Sequence, residues 1–309
     1  MVKKKRGSFV SKVRKGEKTI LYELLPLPKK LTQKDLDTSL GLFARLLKEQ
    51  QVDGINIPEV REEKREGDRE DPEIAKLTPI EMAQALHRHV SQTVVLNRGI
   101  VYESWEDQQQ WLTHARKKVG IESIVLVGGE SSKRRYPGIS VTEAAKKITE
   151  NDADVLLGGI TIPTRHQEAK RVLQKSNNGV TFFTTQILYE SKAIKKLLRD
   201  YWRLCQKQKV APSMIFLSFA PVTIPADIRL LKWLGVEILD KTKAKLTGWL
   251  GIGTKSLVVC EDVLNDILTF VKKEGIRVPL GINVEHVNRH NFEISFQLLE
   301  RLTKRYLQK

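Results

Sequence analysis

Short runs of β-branched and aromatic residues recur along the chain, separated by stretches whose apolar residues return every three or four positions. Thr19–Leu25, Gly54–Ile57, Thr93–Leu96, Ser123–Val127, Val155–Leu157, Val180–Thr185, Met214–Phe219 and Pro279–Glu285 read as strands. Leu31–Gln50, with Leu36, Leu40, Phe43, Leu46 and Leu47 on one face, reads as a helix, and Thr78-Pro79 caps another that runs to Val90. Further helices are expected over Trp105–Val119, from the Ser140/Glu143 capping pair onward, over His166–Lys175 and Ser191–Gln208, within 226–275, and over Phe292–Tyr306. Strand and helix alternate eight times. That order predicts a single-domain (β/α)₈ barrel, with an open doubly wound sheet as the alternative.

Residues 153–189 are the most informative stretch. They read as strand, loop, helix, turn and strand, with Asn177-Asn178-Gly179 as the helix stop. Parallel α/β folds bind ligands beyond the carboxyl ends of their strands. Polar residues at those ends are therefore the candidates: Glu23, Asn56, Asn97, Glu130, Thr161, His166, Gln186 and Glu285, with Asn288 and Arg289 beyond.

Composition changes this picture little. No apolar run approaches the ~20 residues a membrane span needs, and no hydrophobic segment follows the basic N-terminus as a secretory signal would require. Cys205 and Cys260 lie far apart without ligand spacing and read as buried thiols of a reducing, cytoplasmic environment. The net charge is +16, of which residues 1–18, with eight basic side chains and one acid, carry seven. They read as a solvated, flexible arm ahead of a barrel domain over 19–309; a polyanion-binding role is the alternative. Residues 60–76 are too charged to pack and read as an exposed loop. Zinc-finger spacing, ribonucleoprotein aromatics, a nucleophile elbow and dinucleotide glycine fingerprints are all missing, so neither a nucleic-acid nor a membrane partner is expected.

Six short motifs in order carry a resemblance. They are Leu21-Tyr22-Glu23-Leu24-Leu25-Pro26, Gly129-Glu130, Pro163 with His166-Gln167-Glu168-Ala169-Lys170, Thr185-Gln186, Pro221-Val222 and Asn288-Arg289. Together they resemble the methylenetetrahydrofolate reductase family over roughly residues 19–306. The resemblance implies hydride transfer to 5,10-methylenetetrahydrofolate, giving 5-methyltetrahydrofolate in one-carbon metabolism and methionine biosynthesis. It makes Glu23 the catalytic acid and assigns the folate substrate to Glu130, Gln186, Asn288 and Arg289. Asn97, Gly129, Thr161, His166 and Lys175 fall to cofactor binding, with FAD and NAD(P)H as the cofactors. It leaves open whether the chain forms a homo-oligomer. The chain departs from the family pattern mostly on the cofactor side. Ile57-Pro58-Glu59 replaces a threonine-tyrosine pair, Ile162 replaces an aromatic, the segment from His166 to Gly179 is short, and no phenylalanine follows Pro221-Val222. Two other readings therefore stand beside flavin chemistry: a flavin-independent relative using nicotinamide or deazaflavin directly, and a non-catalytic barrel that binds a pterin or a partner.

Overall fold

Eight parallel strands close on themselves in sequence order, β1 against β2 and so on round to β8 against β1. They are β1 (Ile20–Glu23), β2 (Gly54–Ile57), β3 (Thr93–Gly99), β4 (Ser123–Val127), β5 (Leu156–Thr161), β6 (Val180–Thr185), β7 (Met214–Phe219) and β8 (Leu280–Glu285). The computed structural model describes residues 8–61, 75–129, 134–247 and 251–308, and Arg289 there by its backbone alone. Most of the 60–76 loop, and Glu130, lie outside the described residues. Helices α2 (Gln33–Lys48), α3 (Pro79–Leu86), α4 (Trp105–Lys117), α5 (Val141–Asn151), α6 (Glu168–Ser176), α7 (Lys192–Gln208), α8 (Pro225–Trp233), α9 (Asp240–Thr247), α10 (Ile252–Lys273) and α11 (Phe292–Gln308) surround the strands. This is a (β/α)₈ barrel.

Strand periodicity divides the core in two. Outward residues such as Tyr22, Ile55, Leu96, Ile124, Phe183, Leu217 and Val284 pack against the apolar helix faces, including Leu40, Phe43 and Leu47 of α2. Inward residues Leu21, Val95, Val125, Leu156, Phe182, Met214 and Phe216 fill the lower half of the barrel. Gly158 and Gly281 make room there: a β-carbon at either would lie 2.4 Å from the Phe182 or Phe216 ring. Further up, the inward positions turn polar, at Asn56, Asn97, Thr184, Ser218 and Asn283, with Glu23 and Glu285 at the strand ends.

The floor of the barrel is closed by a helix ahead of the first strand, α1 (Phe9–Lys15). Its Phe9 ring sits 5.7 Å from Phe182, edge-on, and 5.9 Å from Phe216, stacked. Val13, one turn on, joins the same cluster. Ser8 caps the start through its hydroxyl, Gly16 at φ 65° ends it, and Lys12 pairs with Asp53 at 2.7 Å. Residues 8–18 are therefore not the solvated arm expected from their charge. Two apolar residues one helical turn apart suffice to insert into a hole that only the closed barrel creates.

Helix starts follow capping chemistry. Thr78 and Glu81 form a reciprocal capping box at α3, whereas Ser140 caps α5 through the Glu143 amide. Cys205 on α7 and Cys260 on α10 are both buried free thiols. Burial pushes the Cys260 thiol well above its usual range. No helix is long and apolar enough to cross a membrane among the described residues.

Candidate active site at the carboxyl end of the barrel

Register places Glu23 directly beside Glu285, on the adjacent strands β1 and β8. Both face inward by alternation with Tyr22 and Val284, and both keep part of their surface open to solvent at the barrel mouth. The Asn56 amide donates to Glu23 Oε2 at 2.6 Å. The Asn283 amide donates to Glu285 Oε1 at 2.9 Å and to the Ser218 hydroxyl at 3.1 Å. Burial pushes the Glu23 carboxyl up to about 7, an effect only partly offset by Asn56. Glu285 is raised well above the ordinary carboxylate range by burial and then by the neighbouring Glu23 charge. A carboxyl that keeps its proton near neutral pH can act as a general acid.

Across the mouth, over the ends of β3 to β6, lies a cavity of about 390 Å³. Asn97, Gly128, Gly129, Ile160, Lys175 and Gln186 form much of its wall, together with Leu234 and Gly235. Asn97 is buried, and its Oδ1 has no hydrogen-bond partner among the described residues. An orphaned acceptor on a cavity wall is a place for a ligand donor. Gln186 donates to the Leu234 carbonyl at 3.0 Å, which leaves amide capacity facing the cavity. Lys175 donates to the Ile160 carbonyl at 3.0 Å, and burial lowers its pKa.

One side of this cavity is a fixed charged cluster. Arg98 is buried, donating to Glu59 at 3.0 Å and Gln108 at 2.8 Å and pairing with Glu103, with Trp111 stacked 4.9 Å from its guanidinium. Arg61 bridges the same two acids and lies 4.6 Å from the Tyr102 ring centre. The Pro58-Glu59 departure from the family pattern thus has a structural use, since Glu59 also accepts the Gly99 amide. Sequence reading missed this cluster. Its residues are spread over the segment after β2, the end of β3, the segment that follows it and α4, and only the barrel brings them together.

Other expected site residues are placed elsewhere. Thr161 alternates with the inward Ile160, so it faces the helices and donates to Glu168 Oε1 at 3.0 Å. His166 is exposed and lines a separate groove between the β5–α6 loop and α7. It precedes α6 by two residues instead of opening it, because Gln167 takes a left-handed turn at φ 54°. Asn288 is spent on structure: it donates to Asp227 at 2.6 Å and accepts from the His290 and Asn291 amides. Glu130 and the Arg289 side chain lie outside the described residues. Among the described residues no cluster of His, Cys, Asp and Glu is arranged to hold a metal ion.

The fold and parts of the sequence are shared with known proteins. A solved structure titled as an uncharacterized protein from Clostridium thermocellum that binds two copies of 5-methyl-5,6,7,8-tetrahydrofolic acid superposes with a TM-score of 0.80. It is 23% identical, over 96% of this chain and 99% of that one. The 7,8-dihydropteroate synthase from Vibrio fischeri ES114 aligns at 15% identity and TM-score 0.45, over 94% of each chain. No curated protein matches significantly. The family model described as mycobacterial methylenetetrahydrofolate reductase matches residues 49–245, from the end of α2 to α9. With more than half of its length matched, this chain belongs to the mycobacterial methylenetetrahydrofolate reductase family.

Proposed function

We propose that the chain binds a reduced folate across the mouth of the barrel and reduces 5,10-methylenetetrahydrofolate to 5-methyltetrahydrofolate. The observation that carries this reading is Glu23, an inward acid whose proton is held to about pH 7 by burial. Family membership and the folate named for the similar Clostridium thermocellum protein support it. Opening the five-membered ring requires protonating a weakly basic nitrogen. Glu23 supplies that proton: its O–H bond breaks and an N–H bond forms. The bond from that nitrogen to the bridging carbon then breaks with its pair left on the nitrogen, and the lone pair of the ring's other nitrogen makes the carbon an electrophilic iminium. A hydride then reaches that carbon and completes the methyl group. Asn56 orients the carboxyl, and Gln186 offers a donor and an acceptor to the pterin edge.

Of the five residues expected to hold FAD, Asn97, Gly129 and Lys175 line the cavity and two do not. Thr161 points away from the mouth and His166 stands outside the cavity. No step is therefore routed through flavin. The reading these positions favour is direct hydride delivery from a reduced nicotinamide, NADH or NADPH, whose ring becomes oxidised as the folate is reduced. Asn97 and the backbone of Gly128-Gly129 would receive its carboxamide in the cavity beside the charged cluster.

The test is incubation of purified protein with 5,10-methylenetetrahydrofolate and NADH or NADPH, with product followed by mass spectrometry and flavin by absorbance. Saturable formation of 5-methyltetrahydrofolate by a protein without flavin absorbance is the expected result. Failure to turn over or to bind a reduced folate by calorimetry would overturn the reading.

A further inference from the structure

We infer that Glu285 and Glu23 act as one proton-sharing acid, in which Glu285 is the positioning residue that sets the pH range over which Glu23 can deliver its proton. The part concerning delivery rests on the reading of Glu23 given above; the pairing rests on the barrel itself. The two residues are register partners on neighbouring strands and face the same lumen. Among the described residues, the side chains that hydrogen-bond them are neutral: Asn56 on β2 for Glu23, Asn283 and the Ser218 hydroxyl on β8 and β7 for Glu285. On the helix side, His286 meets Tyr22 and the Glu23 main chain, and its pKa is lowered to about 4 by burial, so it stays neutral. Lys76 acts on that histidine.

Two carboxyls so placed, each bonded by a neutral amide, do not both ionise in the same pH range. The first proton leaves near neutrality and the second is retained by the pair well above it. When Glu23 passes its proton to the folate nitrogen, a neutral Glu285 leaves one negative charge in the lumen instead of two. Over the range in which the pair holds a single proton, that proton can still be presented from Glu23. Glu285 therefore extends the acid's working range to higher pH.

Glu285→Gln keeps the shape and removes the second proton site. With the pair intact, stability falls as pH rises from the unfolded carboxyl value through the raised folded ones, because the folded protein holds the protons longer. The urea midpoint of the wild-type protein should therefore drop between pH 6 and 9, and E285Q should drop distinctly less. In the folate assay, the alkaline limb of the rate profile should move down by about one pH unit or more and should follow a single ionisation. Glu23→Gln gives the same stability test from the other member, should E285Q fold poorly. Parallel wild-type and variant stability curves would overturn the pairing, whatever the folate result. Diverging curves together with an unmoved alkaline limb would overturn the role in delivery. Diverging curves with no folate turnover in any protein would uphold the pair and count against the folate reading alone.

Discussion

Glu23 combines a raised pKa with an orienting amide, and the two properties can be separated by substitution. Glu23→Gln preserves volume and the capacity to bond Asn56 but removes the transferable proton. Folate turnover should fall by about 10²–10⁴-fold while reduced-folate affinity, measured by calorimetry, changes little. A fall of less than about tenfold, roughly 1.4 kcal/mol of barrier, would make Glu23 a structural residue. Gln186 is the complementary case. Its side chain reaches the Leu234 carbonyl and the cavity together, so Gln186→Ala should weaken reduced-folate binding by about 1–3 kcal/mol. Unchanged affinity in an equilibrium titration would remove Gln186 from the site. Thr161 shows why residue type at a strand end is not enough. Expected to follow a strand ending at Leu157, it is instead the last residue of a longer one, on the outward parity. Gly158-Gly159, which look like a turn in sequence, continue that strand because Phe182 and Phe183 pack over them.

At the scale of elements, the barrel was legible because each strand is an apolar run and each long helix has an apolar face. The limits of β2, β4, β6 and β7 coincide with those runs. What could not be read was any element whose justification is tertiary. Helix α1 is seven residues long and half basic, too short for a periodic signal, yet Phe9 is 1% exposed. The Arg98 cluster was hidden likewise, since Glu59 follows β2, Arg98 is on β3 and Gln108 on α4. The position of α1 makes a prediction opposite to the one its charge invites. Removing residues 1–15, or making Phe9→Ala, should destabilise the barrel, the substitution by about 3–5 kcal/mol, because the floor formed by Phe182, Phe216 and Met214 would open to water. Urea unfolding of the two variants checks this. A loss below about 1 kcal/mol, within the range of ordinary surface changes, would show that α1 rests on the barrel without sealing it.

Across the whole molecule, the barrel is dry at the amino end and polar at the carboxyl end, so stability and chemistry occupy opposite faces. The polar end has consequences for the pH dependence of folding. Glu23 has its pKa raised from 4.5 to about 7, so its stabilising contribution is complete below about pH 4.5 and is lost as pH rises through 7. Glu285 carries that loss to higher pH. His286, buried against Tyr22 and Phe292, is lowered from 6.5 to about 4. Its contribution is complete above about pH 6.5 and is lost as pH falls through 4. Between about pH 4.5 and 6.5 the histidine slope offsets one of the two carboxyl slopes, each about 1.4 kcal/mol per pH unit for one proton. Asp152 and Asp266, held low by hydrogen bonds from Arg116 and Lys195, deepen the loss on the acid side. The expected profile is a maximum near pH 4.5, with a decline on the acid side and a decline on the alkaline side that steepens above about pH 6.5. Urea midpoints measured from pH 3.5 to 9 test it, with each flank assigned by a variant. Glu23→Gln should flatten the alkaline decline, and His286→Asn should flatten part of the acid one. An alkaline flank of unchanged size in both E23Q and E285Q would place its origin outside the carboxyl pair, and with it the proton that the barrel mouth is proposed to hold.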